Sequence, residues 1–385
     1  MRPPLTRRQI AAVFLTTLLA SCGDGGPTTP PDSGLDGVFT IVGLGSSGGV
    51  FTADLWAAGD HVYTGSLFND VNQVSVWDVS DPTQPVEVDA LVIDAGRLND
   101  VKVSTDGTLA VVTVSQSQDG RNGIVLLDLA NPARPTVITR YTTNLERGVH
   151  NVWIEGEFIY LVQNGPPGDG RLRILDIADP AQPVEVASFS DPGGSLHDVY
   201  VRDGLAFLSF LNAGLIIIDV GNSIAGGSPQ NPREVSRVLL GGQTHNAWYW
   251  PEGQYVFVGE EDFTKVGSRA AGVLHVVDVS DIRNPRETAT FETELNRSPP
   301  HNFWLDESRG VLYAAWYDEG LVALNVNGEL SGELENQNRV IDIVHPFGEG
   351  ACFGTGTCIW APQLDNGLIY VSDLNNGIAV LRMDF

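Results

Sequence analysis

"LRILDIADPAQPVEVASF" (Leu172–Phe189) is one copy of a pattern that recurs along this chain. An apolar run ends in Asp, a turn rich in Asp, Asn and Pro follows, and a second β-branched run begins. Such runs are typical of β-strands, and Pro and Asp fix the backbone of tight turns. The copies are Val74–Pro85, Ile124–Pro135, Leu172–Pro183, Leu215–Ser223, Leu274–Pro285 and the weaker Leu321–Glu329 and Ile378–Phe385.

The spacing of these copies predicts the architecture. Equivalent positions are Asp78, Asp128, Asp176, Asp219, Asp278, Asn325 and Arg382, at intervals of 50, 48, 43, 59, 47 and 57 residues. Each interval suits one four-stranded unit, so we predict an all-β, seven-bladed β-propeller over residues 37–385. The seventh unit ends after three strands, and Gly37–Gly49 aligns with Pro183–Ser195. We therefore expect the N-terminal strand to complete the last blade and close the ring.

Two stretches carry a resemblance to a known family. "LHDVYVRDGLAFLSFLNAGLIIIDV" (Leu196–Val220) and "LHVVDVSDIRNP" (Leu274–Pro285) resemble the LVIVD-repeat family of exported bacterial β-propeller lipoproteins. The similarity extends over nearly all of the chain after the leader. It implies a propeller fold and a location at the cell surface, and it implies no particular chemistry.

The N-terminal residues resemble an export signal. Three arginines precede Ile10–Ala20, an apolar run too short to span a bilayer. "LASC" (Leu19–Cys22) resembles the bacterial lipobox. We expect residues 1–21 to be a lipoprotein signal peptide, Cys22 to be lipidated, and residues 22–36 to form a flexible tether. The protein would then be anchored in the cell envelope, at the outer membrane or a periplasmic face. The leader is compatible with export by either the general or the twin-arginine route.

Composition restricts the partners. The chain has 48 acidic and 22 basic residues and a formal net charge of −26, which repels nucleic-acid backbones.

Cys352 and Cys358 lie six residues apart in a Gly/Thr loop and are expected to form a disulfide in an oxidising compartment. A zinc half-site is the alternative for this pair. We expect a monomer whose contact with the membrane is made through the lipid alone.

A His-Asn or His-Asp pair opens the first strand of four consecutive units. The aligned first positions are Ala53, Asn99, His150, His197, His245, His301 and approximately Ile359, and the next positions are Asp54, Asp100, Asn151, Asp198, Asn246, Asn302 and Trp360. First strands of propeller blades lie innermost, so these residues are expected at one mouth of the central channel.

Two interpretations of the histidines remain open. His150, His197, His245 and His301 are candidate ligands of a transition metal, with Asn151, Asp198, Asn246 and Asn302 holding the imidazoles from behind. Alternatively, the pairs hydrogen-bond to neighbouring blades and only build the fold. Trp153, Tyr200, Trp248 and Trp304 are interpreted as packing between blades.

The loops that follow the second strands should share the face of the histidines. They carry a candidate acidic rim, made of Glu260, Glu261, Asp262, Asp318 and Glu319. Since no complete catalytic set is visible, the sequence favours a binding or scaffold module for a protein, peptide or glycan over an enzyme. The alternative is a metal-dependent enzyme, such as an oxidoreductase, that uses the histidines.

Overall fold

The computed structural model describes residues 34–263 and 271–385. The predicted signal peptide, Cys22 and the tether up to residue 33 lie outside these residues. The chain folds into seven antiparallel sheets arranged as the blades of a β-propeller. Among the described residues there is no helix with the length and apolar character needed to cross a bilayer.

The blades follow the chain order, and the first strand of each blade lies innermost. Blade 1 contains Thr52–Ala58, His61–Leu67, Gln73–Asp78 and Val86–Val92, and Arg97–Leu98 pairs with its second strand. Blade 2 contains Val101–Val103, Leu109–Val114, Gly123–Asp128 and Thr136–Tyr141. Blade 3 contains Val149–Glu155, Phe158–Gln163, Arg171–Asp176 and Val184–Phe189. Blade 4 contains Leu196–Arg202, Leu205–Phe210, Gly214–Asp219 and Arg233–Val238.

The remaining blades carry the additions to the repeat. Blade 5 contains Thr244–Trp250, Tyr255–Glu260, Leu274–Asp278 and Arg286–Phe291, with Gly332–Glu333 added in parallel at its outer edge. Blade 6 contains Phe303–Asp306, Val311–Ala315, Leu321–Asn325 and Val340–Val344, with a 3₁₀ turn at Leu334–Gln337. Blade 7 contains Ile359–Asp365, Leu368–Asp373, Gly377–Asp384 and the N-terminal strand Val38–Ser46.

Closure of the ring by the N-terminal strand is confirmed. Val38 pairs with Asp384 and Ser46 with Gly377 in one antiparallel ladder. The backbone N–H of Phe39 also donates to Asp342 of blade 6 at 2.7 Å. The strand therefore covers the free edge of blade 7 and ties the two ends of the propeller together.

The repeated Asp caps the turn between the third and fourth strands. The carboxylate of Asp176 accepts the backbone N–H of Ala178 at 2.9 Å, and Asp179 accepts that of Ala181 at 3.0 Å. Asp128 and Asp278 make the same contact two residues on. The pattern that predicts the blades is thus a local hydrogen-bonding device.

Burial is greatest in the middle strands of the blades and lowest in the outer strands. All side chains of Leu109–Val114, Leu205–Phe210 and Gly214–Asp219 are buried, because the flat faces of each blade pack against its two neighbours. The outer strand Val184–Phe189 is exposed or half-buried throughout. The apolar runs of the middle strands therefore form inter-blade cores, and the inner strands are left to line the channel.

Candidate functional site

The inner strands of blades 1, 3, 4, 5 and 7 begin with a β-bulge. In blade 4, Leu196 pairs with Phe210 and Asp198 with Ser209, so His197 is the extra residue. Blade 5 repeats this arrangement at His245, between the pairs made by Thr244 and Asn246. A bulge re-aims side chains, so the histidine and the residue after it both reach the channel, which a regular pleat would not allow.

The four predicted histidines lie side by side at the channel mouth. Ring centroids are 4.3 Å apart from His150 to His197, 4.3 Å from His197 to His245, and 4.4 Å from His245 to His301. The row continues to Trp360, whose ring centroid is 4.3 Å from that of His301. We refer to His150, His197, His245 and His301 as the histidine row.

The alignment of blade 7 was wrong by one residue. Ile359 pairs with Asp373 and Ala361 with Ser372, which makes Trp360 the bulged residue. Trp360 therefore occupies the place of a histidine, where Ile359 was predicted. The register of the two strands decides which residue is the extra one in the bulge, and the apolar pattern of this strand does not reveal that register.

Hydrogen bonds hold two of the imidazoles to the next blade along the ring. Nδ1 of His197 is 3.0 Å from the carbonyl oxygen of His245, and Nδ1 of His301 is 2.6 Å from that of Trp360. A carbonyl only accepts, so both Nδ1 atoms carry the proton and both Nε2 atoms keep a lone pair. The structural interpretation of the histidines is therefore supported at these two positions.

The histidine row is neutral at ordinary pH. Burial lowers the pKa of His197 and that of His301 to about 3, and it lowers the pKa of His150 and His245 well below the usual range. Each imidazolium would also be repelled by its neighbours in the row. Neutral imidazoles are the form that binds metals.

Glu261 and Tyr317 complete the mouth. A carboxylate oxygen of Glu261 lies 3.6 Å from Nε2 of His245, and the hydroxyl of Tyr317 donates to the same side chain. Burial raises the pKa of Tyr317 well above its usual value, as does the Glu261 charge, so the phenol stays protonated. The sequence placed Glu261 only in the acidic rim and did not single out Tyr317.

Two other members of the acidic rim are buried in contacts within the protein. Glu260 and Glu319 are buried, at 1% and 2% exposure, and not part of a solvated rim. Glu319 accepts the backbone N–H of Ser298 at 2.9 Å, and Glu260 lies 3.5 Å from the ring of His275. Asp262 and Asp318 are half-buried.

A polar layer lies below the histidine row. Asn99 donates to Asn151 at 2.9 Å, and Asn151 donates to Asp198 at 2.8 Å, so the amides link blades 2, 3 and 4. Asn246 and Asn302 also line the channel here. Asn151, Asp198 and Asn302 therefore bond to one another or to neighbouring blades, whereas the buried amide oxygen of Asn246 has no hydrogen-bond partner among the described residues.

Lys102 of blade 2 occupies the same layer, and no motif in the sequence singled it out. Its ammonium is 3.1 Å from Asp54 and also contacts Asp100. Burial alone would lower the pKa of Lys102, but the two carboxylates outweigh it and raise the value. Burial raises the pKa of Asp100 and Asp198.

Aromatic side chains form a closed ring below the polar layer. Neighbouring centroids lie 4.7 to 5.9 Å apart around the cycle Trp56, Trp153, Tyr200, Trp248, Trp304. Trp153, Tyr200 and Trp248 also pack against blade cores, as predicted, whereas Trp304 lines the channel as a member of the ring. The channel cavity between the two layers measures about 50 Å³, which suits a few waters and no organic ligand.

A disulfide-bonded loop borders the mouth. Cys352 and Cys358 are joined, and Phe353 between them packs edge-on against Phe51 and Phe68 at 5.8 and 5.7 Å. Phe353 and Phe68 are nevertheless 59% and 46% exposed. We refer to Phe51, Phe68 and Phe353 as the aromatic rim.

Comparison with known proteins agrees with the repeat. The model of the LVIVD repeat matches residues 51–91, 118–143, 146–191 and 193–239, which belong to blades 1 to 4. No curated protein matches the chain. The chain therefore contains LVIVD repeats in blades 1 to 4, and it folds as a seven-bladed β-propeller.

Proposed function

We propose that the protein is a binding module whose working surface is the histidine face, and that it takes a basic polypeptide segment with apolar side chains. The observation that carries this proposal is the aromatic rim. Phe353 exposes 59% of its surface although Phe51 and Phe68 are within packing distance. Contiguous exposed apolar patches, unlike single exposed apolar residues, mark interaction sites.

The rim is pre-organised for binding. The disulfide limits the conformations of the loop that carries Phe353, so less entropy is lost when a partner is bound. Cys352 and Phe51 pack with Tyr317 and Trp360 in one apolar cluster, so the aromatic rim is continuous with the mouth.

Charge selects the partner. The chain carries 48 acidic and 22 basic residues, and such an excess attracts basic segments and speeds their association. Glu261 places a carboxylate at the mouth itself. A glycan would gain nothing from this charge, which is why we propose a polypeptide.

The proposed setting is the bacterial envelope, with the domain tethered through lipidated Cys22. A disulfide is consistent with an oxidising compartment. Cys22→Ala should move the protein from the membrane fraction to the soluble fraction, and mass spectrometry should find a diacylglyceryl group on wild-type Cys22. An unmodified Cys22 in a membrane-free protein would contradict the anchor.

A peptide-display selection tests the binding function. Random peptides are selected on the immobilised purified protein, and affinities of the enriched peptides are measured for the wild type, Phe353→Ser and Val184→Ser. Val184 is a matched control, since it is also 59% exposed but lies on the outer strand of blade 3. We expect basic, apolar peptides whose affinity falls about tenfold in Phe353→Ser and is unchanged in Val184→Ser. Equal affinity for all three proteins would overturn the proposal.

A further inference from the structure

Three potential ligand groups from blades 4 and 5 converge at the mouth. One ligand atom each from His197, His245 and Glu261 lies within 4.8 Å of the other two. No second such group of three is found among the described residues. We propose that these three side chains bind a divalent transition-metal ion of the zinc or ferrous class, a site that goes beyond the binding of a polypeptide.

The separation of His245 and Glu261 fits a shared ion better than a hydrogen bond. Their facing atoms, Nε2 and Oε2, are 3.6 Å apart, which is too long for a hydrogen bond. Two ligand atoms at about 2.1 Å from a tetrahedral ion lie about 3.4 Å from each other. The pair is thus already close to the spacing that an ion requires.

The protonation of His197 also fits. Its Nδ1–H donates to the carbonyl oxygen of His245, which fixes the tautomer and leaves Nε2 as the ligand atom.

His245 has an unexplained polar atom. The side chain is 1% exposed, and its Nδ1 has no hydrogen-bond partner among the described residues. Buried polar atoms without partners are rare and need an explanation, of which a role in binding an ion is one.

The surroundings orient and complete the site. Tyr317 donates its hydroxyl to the Glu261 carboxylate, in the manner of the outer hydrogen bonds that position metal ligands. His150 and His301 flank the three ligands, with ring centroids 4.3 Å from His197 and 4.4 Å from His245. They lie outside the group of three but are near enough to shield the ion from solvent.

The donor set determines the class of ion. Two imidazoles and one carboxylate suit Zn²⁺ and Fe²⁺, and sites with three such ligands leave positions open for water or substrate. Ca²⁺ and Mg²⁺ prefer sets made only of oxygen. The single carboxylate offsets part of the charge of a divalent ion.

Titration with Zn²⁺ tests the site. The purified protein is stripped with a chelator, and Zn²⁺ binding is followed by calorimetry for the wild type, Glu261→Gln and Glu287→Gln. Gln at position 261 still accepts the Tyr317 hydroxyl but loses the ligand charge. Glu287 is the matched control, because it accepts from a buried histidine, His275, at 2.7 Å in the same blade.

We expect one equivalent of Zn²⁺ in the wild type and in Glu287→Gln, and affinity at least about 100-fold lower in Glu261→Gln, since loss of an outer partner alone costs 10- to 100-fold. His197→Gln should weaken binding similarly, and Co²⁺ should give the absorption of a low-coordinate site only in the wild type and in Glu287→Gln. Circular dichroism verifies that the variants are folded. No stoichiometric binding by the wild type, or equal binding by Glu261→Gln, would overturn the site and leave the peptide-binding proposal untouched.

Discussion

His197 of blade 4 donates its Nδ1–H to the backbone carbonyl of His245 in blade 5 across 3.0 Å. The contact joins the inner strands of neighbouring blades through a side chain that is also a candidate metal ligand. His301 makes the same contact with Trp360 one step further round the ring. The row therefore contributes to the fold whether or not an ion is bound, and the two interpretations of the histidines are compatible.

The histidine row should make the protein sensitive to acid. An unfolded histidine binds its proton near pH 6.5, whereas burial lowers the pKa of folded His301 to about 3. Between these values the unfolded state binds more protons, so stability falls as the pH falls. Each such histidine contributes a loss of about 1.4 kcal/mol per pH unit.

Thermal unfolding between about pH 7.5 and pH 4.5, in the presence of a chelator, measures this dependence. The charged and titratable groups facing the row are Glu261, Tyr317 and Arg97, and the layer below contains Asp54, Asp100, Asp198 and Lys102. We expect His301→Gln to reduce the slope by about 1 kcal/mol per pH unit and the control His61→Gln, outside the row, to leave it unchanged. Identical slopes in all three proteins would contradict the prediction.

Lys102→Met should destabilise the protein strongly. The substitution leaves the carboxylates of Asp54 and Asp100 buried without their shared cation, which typically costs about 3–5 kcal/mol. Adding Asp100→Asn removes one of the unpaired charges and should recover part of the loss. Urea denaturation of the single and double variants measures both effects, and an additive further loss in the double variant would argue against the pairing.

Asp219→Asn should lower the free energy of unfolding more than Asp176→Asn, the same change at the equivalent position of blade 3. Burial would raise the pKa of Asp219, but four backbone N–H groups, of Gly221, Ser223, Ala225 and Gly227, donate to its carboxylate and lower it to about 2. Asp176 in blade 3 accepts one such bond, from Ala178. We expect a loss of about 2 kcal/mol at position 219 and below about 1 kcal/mol at position 176. Equal losses would show that the extra bonds contribute little.

Gly43→Val should loosen the closing strand. A Cβ atom at this position would lie 2.2 Å from the carbonyl oxygen of Pro82 in blade 1, so strand Val38–Ser46 must shift. We expect a loss of about 1–3 kcal/mol and faster amide exchange along the partner strand Gly377–Asp384. Ile41→Val in the same strand, at a 44% exposed position, is the control and should have little effect. Unchanged exchange in Gly43→Val would contradict this role of the strand.

Much of the architecture could be predicted because it depends on interactions between residues that are close together in the sequence. Each blade repeats an apolar run, an Asp cap and a Pro-containing turn, so seven copies predict seven sheets. Strand register at the bulges could not be predicted in the same way. Trp360 takes the place predicted for Ile359 because a bulge inserts one residue, and the apolar pattern on its own does not reveal which residue is extra.

The sequence by itself determined the all-β class, the number of blades, the closing strand and the grouping of four histidines at one mouth, since each follows from repetition and ring closure. Only the tertiary structure decided that Glu261 and Tyr317 meet the histidine row, that Lys102 pairs with Asp54 across two blades, and that the tryptophans encircle the channel. These contacts join residues that lie far apart in the chain. These contacts depend on the bulges, on the paths of the loops and on the packing of neighbouring blades, none of which a local sequence pattern specifies.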